Sequence, residues 1–395
     1  MKPVTRLFLI STLWTLSSFM ASSFIGAWFW DIGTGLIPII VFYSILFVVM
    51  IASFGLASRI RSRIKSATLM AVGILMNAGY LGLLLWLQAD ARHYYVLIAF
   101  VEGLSSSFYW LALFVLASSW VQSGQADWYN GWTGTLEAIL GLTIPPLSGW
   151  IIASLPGLSG YRTVFAIALF CLLGCFMLIA FGKHPTKIRP SVPTSMEMPP
   201  AIPGWRRLLW SFWALGMRDG MYFFVPNLLL YIVSHSTVLL GFFVAMQAAI
   251  EGLIFWSLAR WSAKISRRAS LIAATAISLL AFGIVIRPIN APTLFELGAL
   301  VALAYPSYKV ALESSALTVI DQHSRHEGDR IQLTGVKEVW INSGRLLSLL
   351  MLLAIVGLLP HFRIVNFRWI LGLWALLPIL IFITYRRSPE TPAPA

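Results

Sequence analysis

Ionisable side chains lie within stretches of the sequence that are otherwise almost entirely apolar. An ionisable group in hydrocarbon costs roughly 2.5–3.5 kcal/mol on insertion scales, so each one should face a cavity, pair with another charge, or serve function. The carboxylates of this kind are Glu102, Glu137, Asp219, Glu251, Glu313 and Glu338, and the bases are Arg218, Lys309, Lys337 and Arg345. These bases all fall in the second half of the chain, which makes that half the first place to look for a charged ligand.

Two pairs of charges in the second half each allow two interpretations. Lys309 and Glu313 are four residues apart and would share a helix face, so they either form an internal ion pair or leave Lys309 as a ligand anchor. Arg218 and Asp219 are adjacent and would project about 100° apart on a helix, so they are not expected to satisfy each other fully. At least one of them should find a partner on another helix. The result is either an interhelical salt bridge that fixes packing or a charged segment that lines a cavity.

Three carboxylates are candidates for holding a coupling proton. Burial disfavours the charged form of a carboxylate and a nearby cation favours it, so moving a cation can convert a conformational change into a protonation change. Glu102 and Glu251 have no basic residue within one helical turn in the sequence, and Glu313 is the third candidate. The alternative for Glu102 and Glu251 is a carboxyl group that stays protonated and hydrogen-bonded.

Aromatic and polar side chains near the charges would complete a ligand site. Arg345 has no equivalent in the first half, and Asn342 precedes it by about one turn on a related helix face. The predicted ligand contacts are Arg218, Asp219, Tyr222, Lys309, Tyr308, Tyr109, Trp110, Arg345 and Asn342. Rings combined with cations suit a small amphipathic organic compound, which is anionic if the three bases contact it.

The composition places the chain in a membrane. Apolar residues make up 58% and charged residues 11%, whereas about a quarter of a soluble protein is charged. Placing the N-terminus in the cytoplasm puts most lysines and arginines on the cytoplasmic side, so the net charge of +13 reflects orientation and not binding to nucleic acid. The first apolar run is too long for a signal peptide. Cys171 and Cys175 are interpreted as apolar filler in a helix.

Twelve apolar segments of about 20 residues are long enough to cross ~30 Å of hydrocarbon. They are residues 7–30, 36–57, 67–87, 94–117, 131–153, 161–182, 207–233, 238–258, 270–288, 295–317, 332–356 and 366–385. The proline-rich residues 184–205 are predicted to be a cytoplasmic linker between six-helix bundles at 1–183 and 206–395. The predicted fold class is therefore an all-α membrane protein with two pseudo-symmetric halves, expected to be a monomer with both termini in the cytoplasm.

A weak internal repeat relates the two halves. Leu13-Trp14, Tyr109 and Thr133-Gly134 with Glu137 recur as Leu209-Trp210, Tyr308 and Thr334-Gly335 with Glu338, at offsets of 196, 199 and 201. A repeat of this length in so apolar a chain indicates a transporter, whose ligand sites lie near the bilayer midplane between repeats. Recurrence favours a gating role for the two glutamates. Their expected partners are bases near the loops after the second and eighth helices, Arg59, Arg63 and Arg260.

The arrangement of six plus six helices with a basic central linker resembles the major facilitator superfamily across the whole chain. In that family the loop after the second helix usually reads Gly-x-x-x-Asp-Arg-x-Gly-Arg-Lys; residues 55–65 keep the glycine and the basic charge but have Arg59 at the acidic position. Ala99, before Glu102-Gly103, stands where the family often has an arginine in the fourth helix, so the family's proton relay does not transfer directly. The fifth helix resembles the Gly/Pro motif of the family's antiporters at Gly141, Pro145, Pro146 and Gly149. Helix packing explains these residues equally well.

The resemblance implies a secondary active transporter of the prokaryotic plasma or inner membrane, working by alternating access without a cofactor. By the same resemblance, proton-coupled efflux is the first choice. Uptake of a nutrient coupled to protons or sodium, and a non-transporting receptor or scaffold, are the alternatives.

Sequence motifs for enzyme chemistry are missing from the chain. It contains no His-Glu-x-x-His, no Gly-x-Ser-x-Gly and no Gly-Lys-Ser/Thr phosphate loop, so an enzyme is not predicted. His323 and His326 precede Glu327 and Asp329 in a loop and could bind a metal, but a solvated polar loop is the preferred interpretation. No metal site is predicted.

Overall fold

The fold is entirely helical in the residues that the structure, a computed structural model, describes: 3–60, 66–121, 126–182, 202–261, 266–324, 327–358 and 363–386. The first half contains α1 (Pro3–Ala21), α2 (Ile25–Asp31), α3 (Leu36–Ile60), α4 (Ser66–Leu87), α5 (Tyr95–Trp120), α6 (Ala126–Ser154) and α7 (Ser159–Ala180). The second half contains α8 (Trp205–Tyr222), α9 (Val225–Ser234), α10 (Thr237–Trp261), α11 (Arg267–Leu280), α12 (Ala291–His323), α13 (Glu327–Leu358), α14 (Phe367–Trp374) and α15 (Leu377–Arg386). Short 3₁₀ helices lie at Gln88–His93, Ala281–Ile286 and Ile364–Asn366. The predicted all-α fold class is confirmed.

Twelve segments cross the bundle within these ranges, but three of them consist of two helices each. The interruptions fall at residues 22–24, 223–224 and 375–376. Ten of the twelve segments are long and apolar enough to span a membrane, and the two exceptions are α8–α9 and α12. Those exceptions carry Arg218, Asp219, Lys309 and Glu313.

The two halves meet along two pairs of helices. α3 packs against α13, and α6 packs against α10. One end of the bundle, called here the Asp31 end, contains the C-termini of α2 and α9; the opposite, basic end contains the C-terminus of α10 and the start of α11 at Arg267. The predicted division into bundles at 1–183 and 206–395 stays a prediction, and residues 184–201 of the predicted linker lie outside the described residues.

The glycines and prolines of α6 face α10 across this interface. A Cβ atom on Gly149 would clash with the backbone of Thr237, whose hydroxyl donates to the Gly149 carbonyl at 2.9 Å. From the other side, a Cβ atom on Gly241 would clash with the backbone of Pro145 and Pro146. Close helix approach therefore accounts for these residues without any reference to antiport.

Candidate functional site

Arg218 and Asp219 form an ion pair inside the second half. The Nη1 atom of Arg218 lies 3.0 Å from Oδ1 of Asp219, and its Nη2 atom donates to the Val301 carbonyl of α12 at 3.3 Å. The adjacent residues do pair, because the long arginine side chain curls back to its neighbour, but they do not satisfy each other fully, since Arg218 also bonds to another helix. The expected partner on another helix exists, but it is a backbone carbonyl and not a side-chain charge.

Three tyrosine rings surround the buried Arg218 guanidinium. Its Cζ atom lies 5.4 Å from the ring centre of Tyr222 and 5.6 Å from those of Tyr305 and Tyr308, within the range of cation–π attraction. The hydroxyl of Tyr222 donates to the Leu371 carbonyl at 3.0 Å. Arg218 is thus held by packing, an ion pair and aromatic faces together.

Close contact between α8 and α13 positions the next base, Arg345. A Cβ atom on Gly216 would clash with the Ile341 carbonyl, and one on Gly220 would lie 2.5 Å from the Arg345 carbonyl. From α13, a Cβ atom on Gly344 would clash with the Trp213 carbonyl. Only glycine allows helix backbones to approach this closely, so these positions fix Arg345 beside the ion pair.

Arg345, like Lys309, has no charge partner at ion-pair distance among the described residues, and it sits between the halves. Its Nη1 atom donates to Oδ1 of Asn342 at 3.1 Å, and its buried Nε atom has no hydrogen-bond partner within the described part of the chain. The guanidinium lies 5.6 Å from the Phe47 ring of α3, in the opposite half. Asn342 is held in turn, since its amide donates to the Glu338 carbonyl at 2.8 Å. An unpartnered donor on a cation is suited to bind an anion.

Lys309 is exposed, although it lies midway along α12. Asn290 caps the start of this helix by accepting from the Thr293 amide at 3.0 Å. The Lys309 Nζ atom lies 5.8 Å from the Phe255 ring and 5.7 Å from the Tyr305 ring. Its electrostatic neighbours are Glu137 of the first half and two carboxylates of the second half, Glu313 and Glu251.

Of the two interpretations of Lys309 and Glu313, the ion pair is not formed, because Glu313 pairs with Lys337 of α13. The Lys337 Nζ atom donates to the two Glu313 oxygens at 2.9 and 2.8 Å and lies 3.2 Å from Glu338 Oε1. Its ammonium group also lies 5.6 Å from the Phe114 ring, which belongs to the first half. Two carboxylates surround one buried lysine, so Glu338 has a cation beside it on its own helix.

Glu102 lies in a different environment, a polar cluster without a cation in the described residues. Its Oε2 atom accepts from the Asn77 amide of α4 at 2.8 Å, and its Oε1 atom accepts from the Ser106 hydroxyl at 3.1 Å. Asn77 also donates to Ser105 at 2.9 Å. Tyr43 and Tyr80 are its electrostatic neighbours from α3 and α4.

The repeat-matched tyrosines are core residues. Tyr109 is 1% exposed and Tyr308 is 0% exposed; Tyr109 stacks on Trp14 with ring centres 3.6 Å apart, and the Tyr308 hydroxyl lies 3.2 Å from that of Ser278. Trp110, by contrast, is 42% exposed and forms an edge contact with Tyr109. Their predicted ligand contacts stay predictions.

The structure describes the side chain of only one of the three predicted gating bases. Arg63 lies outside the described residues, as does the side chain of Arg59, while Arg260 is exposed in the last turn of α10. Glu137 is exposed and lies near Lys309 across the interface between the halves. The predicted pairing of Glu137 and Glu338 with these bases stays a prediction.

A contact that sequence reasoning missed closes the Asp31 end. The Asp31 carboxylate of α2 accepts from the Tyr161 hydroxyl of α7 at 2.9 Å and from the Tyr231 hydroxyl of α9 at 2.7 and 2.6 Å. These three residues are called the Asp31 cluster. Since α9 belongs to the second half, the cluster ties the two halves together. The only sequence signal was an acidic residue directly after the first apolar run.

No family model matches the chain. It is similar to the uncharacterized protein YqgE of Bacillus subtilis strain 168, with 25% identity over 361 residues that cover 91% of this chain and 84% of the relative. It is also 28% identical over 167 residues to an uncharacterized protein encoded in the sodM 3′ region of Geobacillus stearothermophilus, which covers 42% of this chain and 77% of that protein.

Solved structures identify the fold. A bacterial homologue of the iron transporter ferroportin in its inward-facing state superposes with a TM-score of 0.72 at 14% identity, covering 98% of both chains. The D-xylose–proton symporter gives 0.71 at 11% identity, again with 98% of both chains. The fucose–proton symporter of E. coli gives 0.63 at 12% identity, covering 98% of this chain and 99% of that one. The chain therefore has the fold of the major facilitator superfamily.

Proposed function

We propose that this protein is a secondary active transporter that moves a small amphipathic organic anion across the membrane by alternating access. The observation that carries the proposal is Arg345. Its guanidinium lies between the halves, its Nε atom is buried without a partner in the described residues, and its bonded neighbour Asn342 is neutral. Arg218 and Lys337 form ion pairs with carboxylates, whereas Arg345 has Asp219 only as an electrostatic neighbour, so its guanidinium can still bind a carboxylate from a ligand.

The two ends of the bundle support alternating access. The Asp31 cluster joins the halves at one end, whereas Glu137 and Lys309 are exposed in the interface toward the other. A pathway closed at one end and accessible from the other is one of the two states that alternating access requires. We infer that the basic end faces the cytoplasm of a bacterial plasma membrane, following the positive-inside rule.

Among the three candidate carboxylates, Glu102 is the one we propose for proton coupling. Glu313 is bound to Lys337, and Glu251 interacts electrostatically with Lys309 and Arg218, so cations stabilise the charge of both. Glu102 has only neutral hydrogen-bond donors around it in the described part of the chain. Gain or loss of a proton there is not opposed by a fixed cation.

Proton-coupled efflux is the proposed direction, and proton-coupled uptake is the second candidate because two similar structures are sugar–proton symporters. Everted membrane vesicles separate the two. An imposed proton gradient drives accumulation of an exported anion inside such vesicles, whereas a symporter of the same orientation releases it from them.

Proton release from the purified full-length protein tests the binding chemistry. Hexanoate, benzoate and salicylate are added in a lightly buffered solution to wild type, Glu102→Gln and Glu251→Gln. We expect release from wild type and from Glu251→Gln, with binding but no release in Glu102→Gln. Failure of all three anions to bind would overturn the anion proposal. Binding with wild-type proton release in Glu102→Gln would overturn only the role of Glu102.

A further inference from the structure

A small polar cavity lies where one segment of each half is interrupted. The break between α1 and α2 and the break between α8 and α9 fall at corresponding places in the two halves. The cavity has a volume of ≈ 10 Å³, about what one water molecule needs. Its wall includes residues from both breaks and from α3: Ser22, Ser23, Tyr43, Phe223, Phe224 and Asn227.

The polar groups of this cavity are neutral. Two serine hydroxyls, the Asn227 amide and the Tyr43 hydroxyl supply both donors and acceptors. The Tyr43 side chain is only 4% exposed, and its hydroxyl has no hydrogen bond with another described residue while it borders the cavity. The Tyr43 ring is fixed by stacking on Phe224, with centres 4.2 Å apart and an interplanar angle of 21°. The ring thus holds the hydroxyl at the cavity wall, where it can donate a hydrogen bond to an occupant or accept one from it.

The cavity is next to the proposed anion site. Phe47 lies one helical turn from Tyr43 on α3, which corresponds to about 6 Å along the axis, and the Arg345 guanidinium lies over the Phe47 ring. Phe223, which lines the cavity, contacts both Tyr43 and Phe47, with ring centres 5.9 and 6.3 Å away. A ligand whose carboxylate binds Arg345 can therefore extend along the Phe223 ring and place a second group at Tyr43.

The geometry points to a substrate that is a hydroxylated organic anion, with its carboxylate at Arg345 and an uncharged hydroxyl in the cavity between the two helix breaks. This inference rests on the proposed anion site. A cation is a poor occupant, because no carboxylate lines the cavity among the described residues. A second carboxylate is equally disfavoured there, because the wall carries no base. A single hydroxyl fits the size and the neutral donors and acceptors.

Two anions that differ in one hydroxyl test the inference. The affinities of 6-hydroxyhexanoate and hexanoate for the full-length protein are measured by calorimetry. Wild type should bind the hydroxylated anion about tenfold more tightly, the value of one well-made hydrogen bond. Tyr43→Phe keeps the stacked ring and removes only the hydroxyl, so the ratio of affinities should fall toward one. Asn227→Ala should lower the ratio in the same direction.

The outcomes separate this inference from the proposed function. Tyr129→Phe removes a buried hydroxyl elsewhere, beside Ser11, and should keep the tenfold ratio. Equal affinity of wild type for both anions, or an unchanged ratio in both Tyr43→Phe and Asn227→Ala, would overturn the hydroxyl subsite and leave the anion site intact. Failure of wild type to bind either anion would overturn both.

Discussion

The two halves of the bundle place equivalent residues in similar surroundings where packing is concerned, and in different surroundings where charge is concerned. Tyr109 and Tyr308 are both fully buried, and the first segment of each half is broken, at residues 22–24 and 223–224. Next to those tyrosines, however, the first half has Trp110 and the second half has Lys309. The shared scaffold is thus kept while the residues facing the interface differ.

Charged groups show the same contrast on a larger scale. In the first half the buried carboxylate Glu102 is bound by an amide and a hydroxyl. In the second half Asp219 is paired with Arg218, and Glu313 with Lys337. The second half is therefore organised around cations and the first around neutral donors, which suggests that anion binding and proton binding are assigned to different halves.

Lys337 provides the strongest test of whether a buried cation stabilises the second half. Lys337→Ala would leave Glu313 and Glu338 close together without their cation, and should lower the free energy of unfolding by about 3 kcal/mol, the low end for a buried pair because Glu313 is partly exposed. The matched first-half variant is Leu136→Ala, at the position corresponding to Lys337, which should cost about 1 kcal/mol. Denaturant unfolding in detergent measures both. Equal losses would show that the cation has no special structural role.

Arg345 tests whether anion binding belongs to the second half. Arg345→Gln keeps a polar side chain beside Asn342 but removes the charge, so hexanoate affinity should fall about 100-fold, as expected for a charge-assisted hydrogen bond. Ile144 occupies the corresponding position in the first half, and Ile144→Ala should change affinity by less than about threefold. Calorimetry with hexanoate provides the measurement. A similar loss in both variants would contradict the assignment of the anion site to Arg345.

Hydropathy predicted the twelve segments, ten of which are apolar enough to span a membrane, because the need to cross hydrocarbon leaves a long apolar run whatever the tertiary contacts are. The interruptions at residues 22–24 and 223–224 were not predicted, although Gly220 and Pro226 lie near the second one. Two or three residues of irregular backbone cost little apolar length, so they leave the hydropathy of the segment almost unchanged. Helix breaks are decided by packing across the interface, which one sequence does not display.

Pairing of charges was the least predictable feature. The spacing of Lys309 and Glu313 allowed either a pair on one helix or a free Lys309, but Lys337 on a neighbouring helix offers its ammonium group to Glu313 at 2.8 Å. Helix rotation decides between such options, and a rotation of one residue is about 100°. For the same reason the residues of the Asp31 cluster, far apart in sequence, gave no signal of their contact.

The Asp31 cluster tests how the two halves are held together, because one of its hydrogen bonds lies within the first half and the other crosses to the second half. Tyr231→Phe removes the crossing bond and should open the Asp31 end, raising the labelling rate of a Ser23→Cys probe by a membrane-impermeant thiol reagent about fivefold. Tyr161→Phe removes the hydrogen bond within the first half and should raise the labelling rate less. Cys171 and Cys175 are replaced by alanine in every variant. Equal rates in all variants would show that the cluster does not hold the halves closed.

The smallest expected effect concerns the two tyrosines that the repeat relates. Tyr109→Phe and Tyr308→Phe each remove one buried hydroxyl, so each should lower the free energy of unfolding by about 1 kcal/mol or less. Their hexanoate affinities should equal that of wild type, because both rings are enclosed in the core of their own half. Denaturant unfolding and calorimetry on the same preparations measure the two quantities. A fall in affinity for Tyr308→Phe alone would show that Tyr308 contacts the ligand beside Arg218, and that ligand binding belongs to the second half. A fall for both variants would show that the two halves contribute equivalent residues to the site.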